Sequence, residues 1–166
     1  MDIQLREATA EDATAISALV QAGFIAHIAS DWEPSAQRSF LEDTGADRLA
    51  PLIAEATVCL VCESRGRLIG VIFLPRPTLV QLFFVATDHL RQGIGKVLWN
   101  GARMHLAQHH PEVKTVELNS SPYAINAYRA LGFFSISKPF KRKGAVATRM
   151  ACWLPGRALE EAEREA

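Results

Sequence analysis

Residues Asp88 to Lys96 read D-H-L-R-Q-G-I-G-K and directly follow an apolar run, Leu79-Val-Gln-Leu-Phe-Phe-Val85. The run has the length and the Phe and Val content of a buried strand, expected over 79–86. Gly93 and Gly95 then let the backbone turn tightly into a helix, expected from Gly93 to about His110. At the start of such a helix several N–H groups lack an intrahelical partner, and the helix dipole is positive there. A strand, a glycine turn and a bare helix N-terminus together make a site for phosphate or pyrophosphate. The alternative is a strand-to-helix turn that needs small residues only for packing.

Two common nucleotide motifs do not fit this turn. A P-loop needs G-x-x-x-x-G-K-[ST], but Leu90 stands at the first glycine position and Val97 follows Lys96. A dinucleotide fingerprint needs a third glycine where Leu98 stands.

Two other stretches bear on the turn. The chain opens Ile3-Gln-Leu-Arg6-Glu-Ala-Thr9-Ala-Glu-Asp12, a short strand followed by a cap and an amphipathic helix with Ile16 and Leu19. Thr9 can accept an N–H of the first turn, and Asp12 places negative charge where the dipole favours it. Past the loop come Val116-Glu-Leu-Asn119 and Pro122-Tyr-Ala-Ile-Asn126-Ala-Tyr128-Arg-Ala-Leu-Gly132-Phe133. With Leu90-Arg-Gln-Gly93-Ile-Gly95, these segments resemble the GNAT N-acetyltransferase superfamily, in its order, over roughly residues 3–154. The glycine turn is similar to its acyl-CoA loop Q/R-x-x-G-x-G/A, with Leu90 replacing the usual Gln or Arg.

Length and composition set the frame. At 166 residues the chain is expected to form one domain, 1–154, followed by a polar tail, 155–166. A domain of this size buries roughly 70% of its unfolded surface and needs neither disulfide nor metal to fold. Eighteen Lys plus Arg balance 18 Asp plus Glu, which removes the electrostatic case for a nucleic-acid partner. Lys138, Lys141, Arg142 and Lys143 cluster locally, either as a solvated hairpin tip or as a contact for an acidic ligand. No signal peptide and no apolar run of the ~20 residues that span a bilayer is visible, so no membrane association and a cytoplasmic location are expected. Cys59 and Cys62 form C-x-x-C inside an apparent strand, where residues three apart point to opposite faces, so buried thiols rather than a metal pair are expected.

A pass along the chain gives strand 3–7, helix over most of 10–29, one or two helices in 33–56, and strands 57–63 and 67–74 joined by Ser64-Arg-Gly66. After the loop strand and its helix come strand 113–119, helix 122–131 closed by Gly132, and strands 133–138 and 146–154. The crossover from 79–86 through the helix to 113–119 is a βαβ unit, so that pair should be parallel. The expected fold is α/β. The resemblance implies a single-domain, mixed, mostly antiparallel twisted sheet of about six to seven strands with a central parallel pair and helices on both faces.

The resemblance also implies acetyl-CoA as co-substrate, no metal, and direct attack by a primary amine of a small molecule or peptide. Backbone amides of Arg91, Gln92, Gly93, Ile94, Gly95 and Lys96 would hold the pyrophosphate. Ile94 would anchor the helix in the core, and Lys96 would add charge or simply be solvated. Backbone groups of Phe83 and Val85 would hold the pantetheine and polarise the thioester carbonyl. Asn119 and Asn126 would bond the pantetheine or pin the short helix to the strand. Tyr128 is the candidate general acid, because a phenol of pKa ~10 can protonate a leaving thiolate. Glu117 leads as general base, and a solvated or paired carboxylate is its alternative. His27, Asp31 and Trp32 near the end of the first helix would line the acceptor pocket, and a water chain could replace a dedicated base. Relatives commonly dimerise, which leaves a homodimer open. The competing classes are a non-catalytic acyl-CoA-binding regulatory module and a nucleotide- or phosphate-binding protein using the same turn.

Overall fold

The computed structural model describes residues 2–155; the expected tail, apart from Pro155, lies outside them. In chain order the elements are β1 Gln4–Glu7, α1 Ala13–His27, α2 Pro34–Asp43, α3 Ala46–Glu55, β2 Val58–Ser64, β3 Arg67–Leu74, β4 Leu82–Val85, α4 Ile94–His109, β5 Thr115–Ser120, α5 Ile125–Ala130, β6 Phe134–Ser135, β7 Phe140–Arg142 and β8 Ala145–Trp153. Eight strands are therefore present among the described residues, where six to seven were expected. The extra one arises because the stretch 133–138 does not continue as one strand. Pro139 has no N–H to give a ladder, and β7 restarts beyond it as a hairpin partner of β8. Lys143 and Gly144, with φ of +50° and +85°, form the two-residue turn of that hairpin. Arg65 and Gly66, with φ of +52° and +75°, make the corresponding turn between β2 and β3.

The strands fall into two antiparallel sets, β1-β2-β3-β4 and β5-β8-β6, with β7 also on β8. The expected central parallel pair is reduced to a single parallel bridge, Leu79 to Glu117. There Val80 N–H donates to the Glu117 carbonyl at 3.0 Å, and Glu117 N–H donates to the Thr78 carbonyl at 2.9 Å. Just beyond it the Gln81 amide donates to the Phe73 carbonyl, while Leu82 is the Cα partner of Phe73. Two consecutive residues thus oppose one, a bulge that bends β4 away from β5. Among the described residues the two sheets share only the bridge and splay beyond it.

Helices cover both faces. On one, Ile94, Leu98, Trp99, Ala102 and Leu106 of α4 pack with Cys62, Ile69, Val116, Leu118 and Met150. On the other, Ile16 and Val20 of α1 and Leu49 and Ile53 of α3 pack with Cys59, Val61, Val71 and Phe73. Cys59 and Cys62 thus enter opposite cores, and burial pushes their thiols up to about 12 and about 11. No described helix is long and apolar enough to cross a membrane.

Arg6 ties the N-terminal corner together. Its guanidinium forks onto both oxygens of Asp12, at 2.8 and 2.9 Å, and also reaches Glu63 at 2.6 Å. Asp12 in turn accepts the Thr9 amide at 2.8 Å, so one carboxylate caps the helix start and locks it to β1. The Arg6 bonds hold the Asp12 carboxyl below its ordinary 3.8, with the Thr9 amide adding to the effect against burial. A depressed carboxyl contributes stability above its unfolded pKa and loses it as pH falls through the folded one. Asp12→Ala should therefore cost about 1–2 kcal/mol at pH 7, with the deficit shrinking below pH 4, as chemical denaturation at both pH values would read.

Candidate functional site

The mouth of the splay gathers the site. Ala86 N–H donates to the Ile69 carbonyl at 2.8 Å, which sets the alternation of the β3–β4 ladder. By that alternation the polar groups of Leu82 and Phe84 turn to β3, and those of Phe83 and Val85 turn to the open side facing β5. The bulge therefore produces a short strand edge with unspent donors and acceptors.

At the end of β4 the chain turns through Thr87–His89 and Leu90 into the loop. Arg91 (φ +61°) and Gly93 (φ +82°) both take left-handed backbone, and Gly93 is the N-cap of α4. A side chain at Gly93 would meet nothing within 4 Å, so the space before the helix is open. No side chain caps α4, and its first intrahelical bond runs from the Val97 amide to the Gly93 carbonyl. The amides of Ile94, Gly95 and Lys96 are thereby left for an outside acceptor. Arg91, Gln92 and Lys96 are exposed, while the Ile94 side chain is buried and anchors the helix in the core. Leu90, the departure from the loop pattern, is extended and half-buried.

Phe83 links the loop to Tyr128. A Cβ on Gly95 would lie 3.8 Å from the Phe83 ring, which also meets Tyr128 edge-on at 5.8 Å between centroids. Tyr128 leans with its other side on Phe133 at 5.7 Å. The phenol is half-buried, and burial pushes its pKa above the ordinary 10.0. Among the described residues no side-chain hydrogen bond engages its hydroxyl.

Glu117 and Asn119 lie on the β5 face away from α4, because Val116, Leu118 and Ser120, which alternate with them, are buried. The Arg149 guanidinium donates from Nη2 and Nε to Glu117 Oε2, at 2.6 and 3.1 Å, and from Nη1 to Asn119 Oδ1 at 3.4 Å. Both contacts to the carboxylate use Oε2, so Oε1 stays open. Asn126 is exposed on α5, and among the described residues the one side-chain hydrogen bond of either asparagine is the one from Arg149 to Asn119.

The other wall comes from α1 and α2. Phe24 stacks on Phe40 at 4.1 Å and meets Trp32 edge-on at 5.1 Å, and Phe40 reaches Phe84 of β4 at 6.4 Å. Trp32 is thus core as much as wall. His27 stacks on Tyr123 at 4.3 Å and contacts Thr87 at 3.3 Å, joining α1 to the segments that follow both β4 and β5. Arg149, the His27–Tyr123 stack and the bond of Lys141 to Glu33 at 2.7 Å were not anticipated. The alternation of Glu117 and Asn119 places them on one face, but only the β5–β8 register brings Arg149 opposite Asn119. No group of three His, Cys, Asp or Glu side chains suited to a metal occurs among the described residues.

A family model described as an acetyltransferase (GNAT) domain matches residues 21–154. The chain belongs to the GNAT acetyltransferase family. It is therefore an N-acetyltransferase, using acetyl-CoA as the family does. The peptidyl-lysine N-acetyltransferase YiaC of Escherichia coli is 27% identical over 107 residues, covering 62% of this chain and 70% of that protein. Among solved structures, a GCN5-related N-acetyltransferase from Rhodopseudomonas palustris superposes with a TM-score of 0.77 at 18% identity, over 93% of this chain and 97% of that one. The PaiA N-acetyltransferase of Thermoplasma acidophilum, solved in complex with coenzyme A, gives 0.74 at 16% identity, over 92% and 99%. At these identities the structural likenesses speak to fold.

The open left-handed position at Gly93 separates backbone strain from ligand binding. Gly93→Ala should cost about 1 kcal/mol of stability because a Cβ disfavours φ +82°. Gly93→Glu should in addition weaken acetyl-CoA at least tenfold in calorimetry if the open space before α4 is the anion site, since it adds a carboxylate there. Equal affinities for the two variants would place the donor elsewhere.

Proposed function

We propose that this enzyme moves an acetyl group from acetyl-CoA to the side-chain amine of a lysine in a peptide or protein, by direct attack of the neutral amine. The observation that carries the donor half is Phe83. Its backbone faces the open splay, and its ring touches both the bare N-terminus of α4 and the candidate acid, Tyr128. The lysine half draws on what YiaC is named for.

The residues fit the donor. The amides from Arg91 to Lys96 receive the pyrophosphate at a helix N-terminus, without needing a side chain at position 90. The free polar groups of Phe83 and Val85 take the pantetheine amides as a strand takes a neighbour. Asn119 and Asn126, exposed beside the cleft, offer side-chain amides to the same arm. A Phe83 or Val85 N–H donates to the thioester carbonyl oxygen, where negative charge develops as the amine adds. Acetyl-CoA itself supplies the activated acyl group.

Tyr128 gives its proton to the departing sulfur. Its raised pKa keeps the phenol protonated throughout the physiological range. Glu117 takes the proton of the incoming ammonium through Oε1, directly or through a water, while Arg149 fixes Oε2. The two groups come from opposite faces of the sheet, acid on the α4 side and base on the α1 side, with the splay between them. We place the enzyme in the cytoplasm.

A thiol-release assay with acetyl-CoA and a lysine peptide panel, read in parallel by mass spectrometry of the peptide, tests this function. Coenzyme A release matched by acetyl-lysine supports it, and binding of acetyl-CoA without transfer to any amine would leave a binding module instead. Tyr128→Phe should lower kcat more than tenfold with little change in acetyl-CoA affinity. Because burial raises its pKa, Tyr128 should not account for any loss of kcat with a midpoint below pH 10. A limb present in the parent below pH 10 and missing from Tyr128→Phe would contradict this assignment.

A further inference from the structure

We propose that the basic tip of the β7–β8 hairpin is a docking rim for acidic residues flanking the target lysine. The inference rests on the peptide-lysine reading above and narrows it to a class of peptide.

The hairpin lies beyond the end of β5. β8 pairs with β5 only as far as Thr148 opposite Ser120, and residues 140–147 continue past that point. From there it crosses to the α1–α2 arm. Glu33 N–H donates to the Gly144 carbonyl at 2.9 Å, and Lys141 Nζ meets Glu33 Oε1 at 2.7 Å. Gly144 is buried against this junction, where a Cβ would come within 2.9 Å of Glu33 and 3.3 Å of the Ala36 Cβ. Its φ of +85° and this contact both require glycine. The hairpin is therefore a strut between the two arms of the splay, on the α1 side.

That is the side from which an amine reaches Glu117, so the backbone carrying the lysine must pass over the strut. The charge there is one-sided. Glu33 neutralises Lys141, but Lys138, Arg142 and Lys143 are exposed and form no ion pair among the described residues. The whole chain has a formal net charge of zero, so this local surplus is not the tail of a generally basic surface. Lys143 sits in the pinned two-residue turn, Arg142 beside it at the end of β7, and Lys138 just before the hairpin begins; the strut fixes the first two, which gives them selectivity that a floppy tip would lack. The pyrophosphate site lies at the N-terminus of α4, on the other face, so the donor does not account for them.

The test uses three peptides with the same central lysine, flanked by Asp and Glu, by Ser and Gly, or by Lys and Arg. For the parent enzyme, kcat/KM should be about tenfold higher for the acidic than for the neutral peptide at low salt, consistent with about three exposed ion pairs. It should be lowest for the basic peptide, and the spread should shrink as salt rises. The variant Lys138→Gln/Arg142→Gln/Lys143→Asn keeps Lys141 and Gly144, and Asn tolerates the left-handed position. It should bring the acidic peptide to within about twofold of the neutral one, leaving the neutral rate and the KM for acetyl-CoA unchanged. Equal rates on the three peptides, an unaltered preference in the variant, or a variant whose main change is in the KM for acetyl-CoA would each overturn the inference. If small amines are acetylated and no peptide is, the lysine-peptide reading falls and takes the docking rim with it. If nothing is acetylated, the transferase reading itself fails.

Discussion

Everything in the site depends on the two sheets sharing a single parallel bridge, Leu79 to Glu117. A full ladder between β4 and β5 would spend the backbone groups of Phe83 and Val85 on the neighbouring strand. The bulge at Gln81 and Leu82 prevents this, and the strands diverge with their polar edges unsatisfied. Unpaired strand edges are costly in a protein interior and demand a partner. A ligand with amide groups of its own, such as pantetheine, is the partner that such an edge fits. The same bridge uses Glu117 as its strand residue, so the backbone that closes the base of the cleft also carries the candidate base.

Phe83 converts this backbone arrangement into a connected site. Its main chain faces the cleft, while its ring lies between Gly95 and Tyr128. The bare start of α4, the open strand edge and the candidate acid are thereby held by contacts around one residue. On the opposite face an aromatic cluster of Phe24, Phe40, Trp32 and Phe84 backs the wall, and ion pairs rim it. Arg149 orients Glu117, while the Glu33 amide donates to the Gly144 carbonyl and its carboxylate pairs with Lys141.

Much of this was legible in the sequence, for physical reasons. Gly93 and Gly95 after an apolar run announce a bare helix N-terminus, because glycine is the residue that takes φ +82° without a Cβ penalty. Cys59 and Cys62 were assigned to opposite faces from the period of a strand alone. Tyr128 was named through the resemblance of the segment from Asn119 to Phe133 to the family, not through a physical derivation. What was not legible depends on register and on contacts distant in sequence. The pairing of Arg149 with Glu117 follows from the β5–β8 ladder, and a one-residue slip would turn Arg149 to the other face. The βαβ reading called for a parallel pair, and a single parallel bridge from Leu79 to Glu117 stands in its place, because the crossover rule carries no information about the bulge that stops β4 from pairing with β5. Pro139 was read as lying beyond a single strand 133–138, whereas only 134–135 pair before it and β7 restarts after it.

Amide hydrogen exchange at Phe83 and Val85, with and without coenzyme A, tests the central claim most directly. Free, these two amides should exchange much faster than those of Leu82 and Phe84, which bond to β3. With coenzyme A bound they should become protected while their neighbours change little. Strong protection of Phe83 and Val85 in the free protein would mean that β4 and β5 are already paired. No change on binding would mean that the open edge is not where the donor lies.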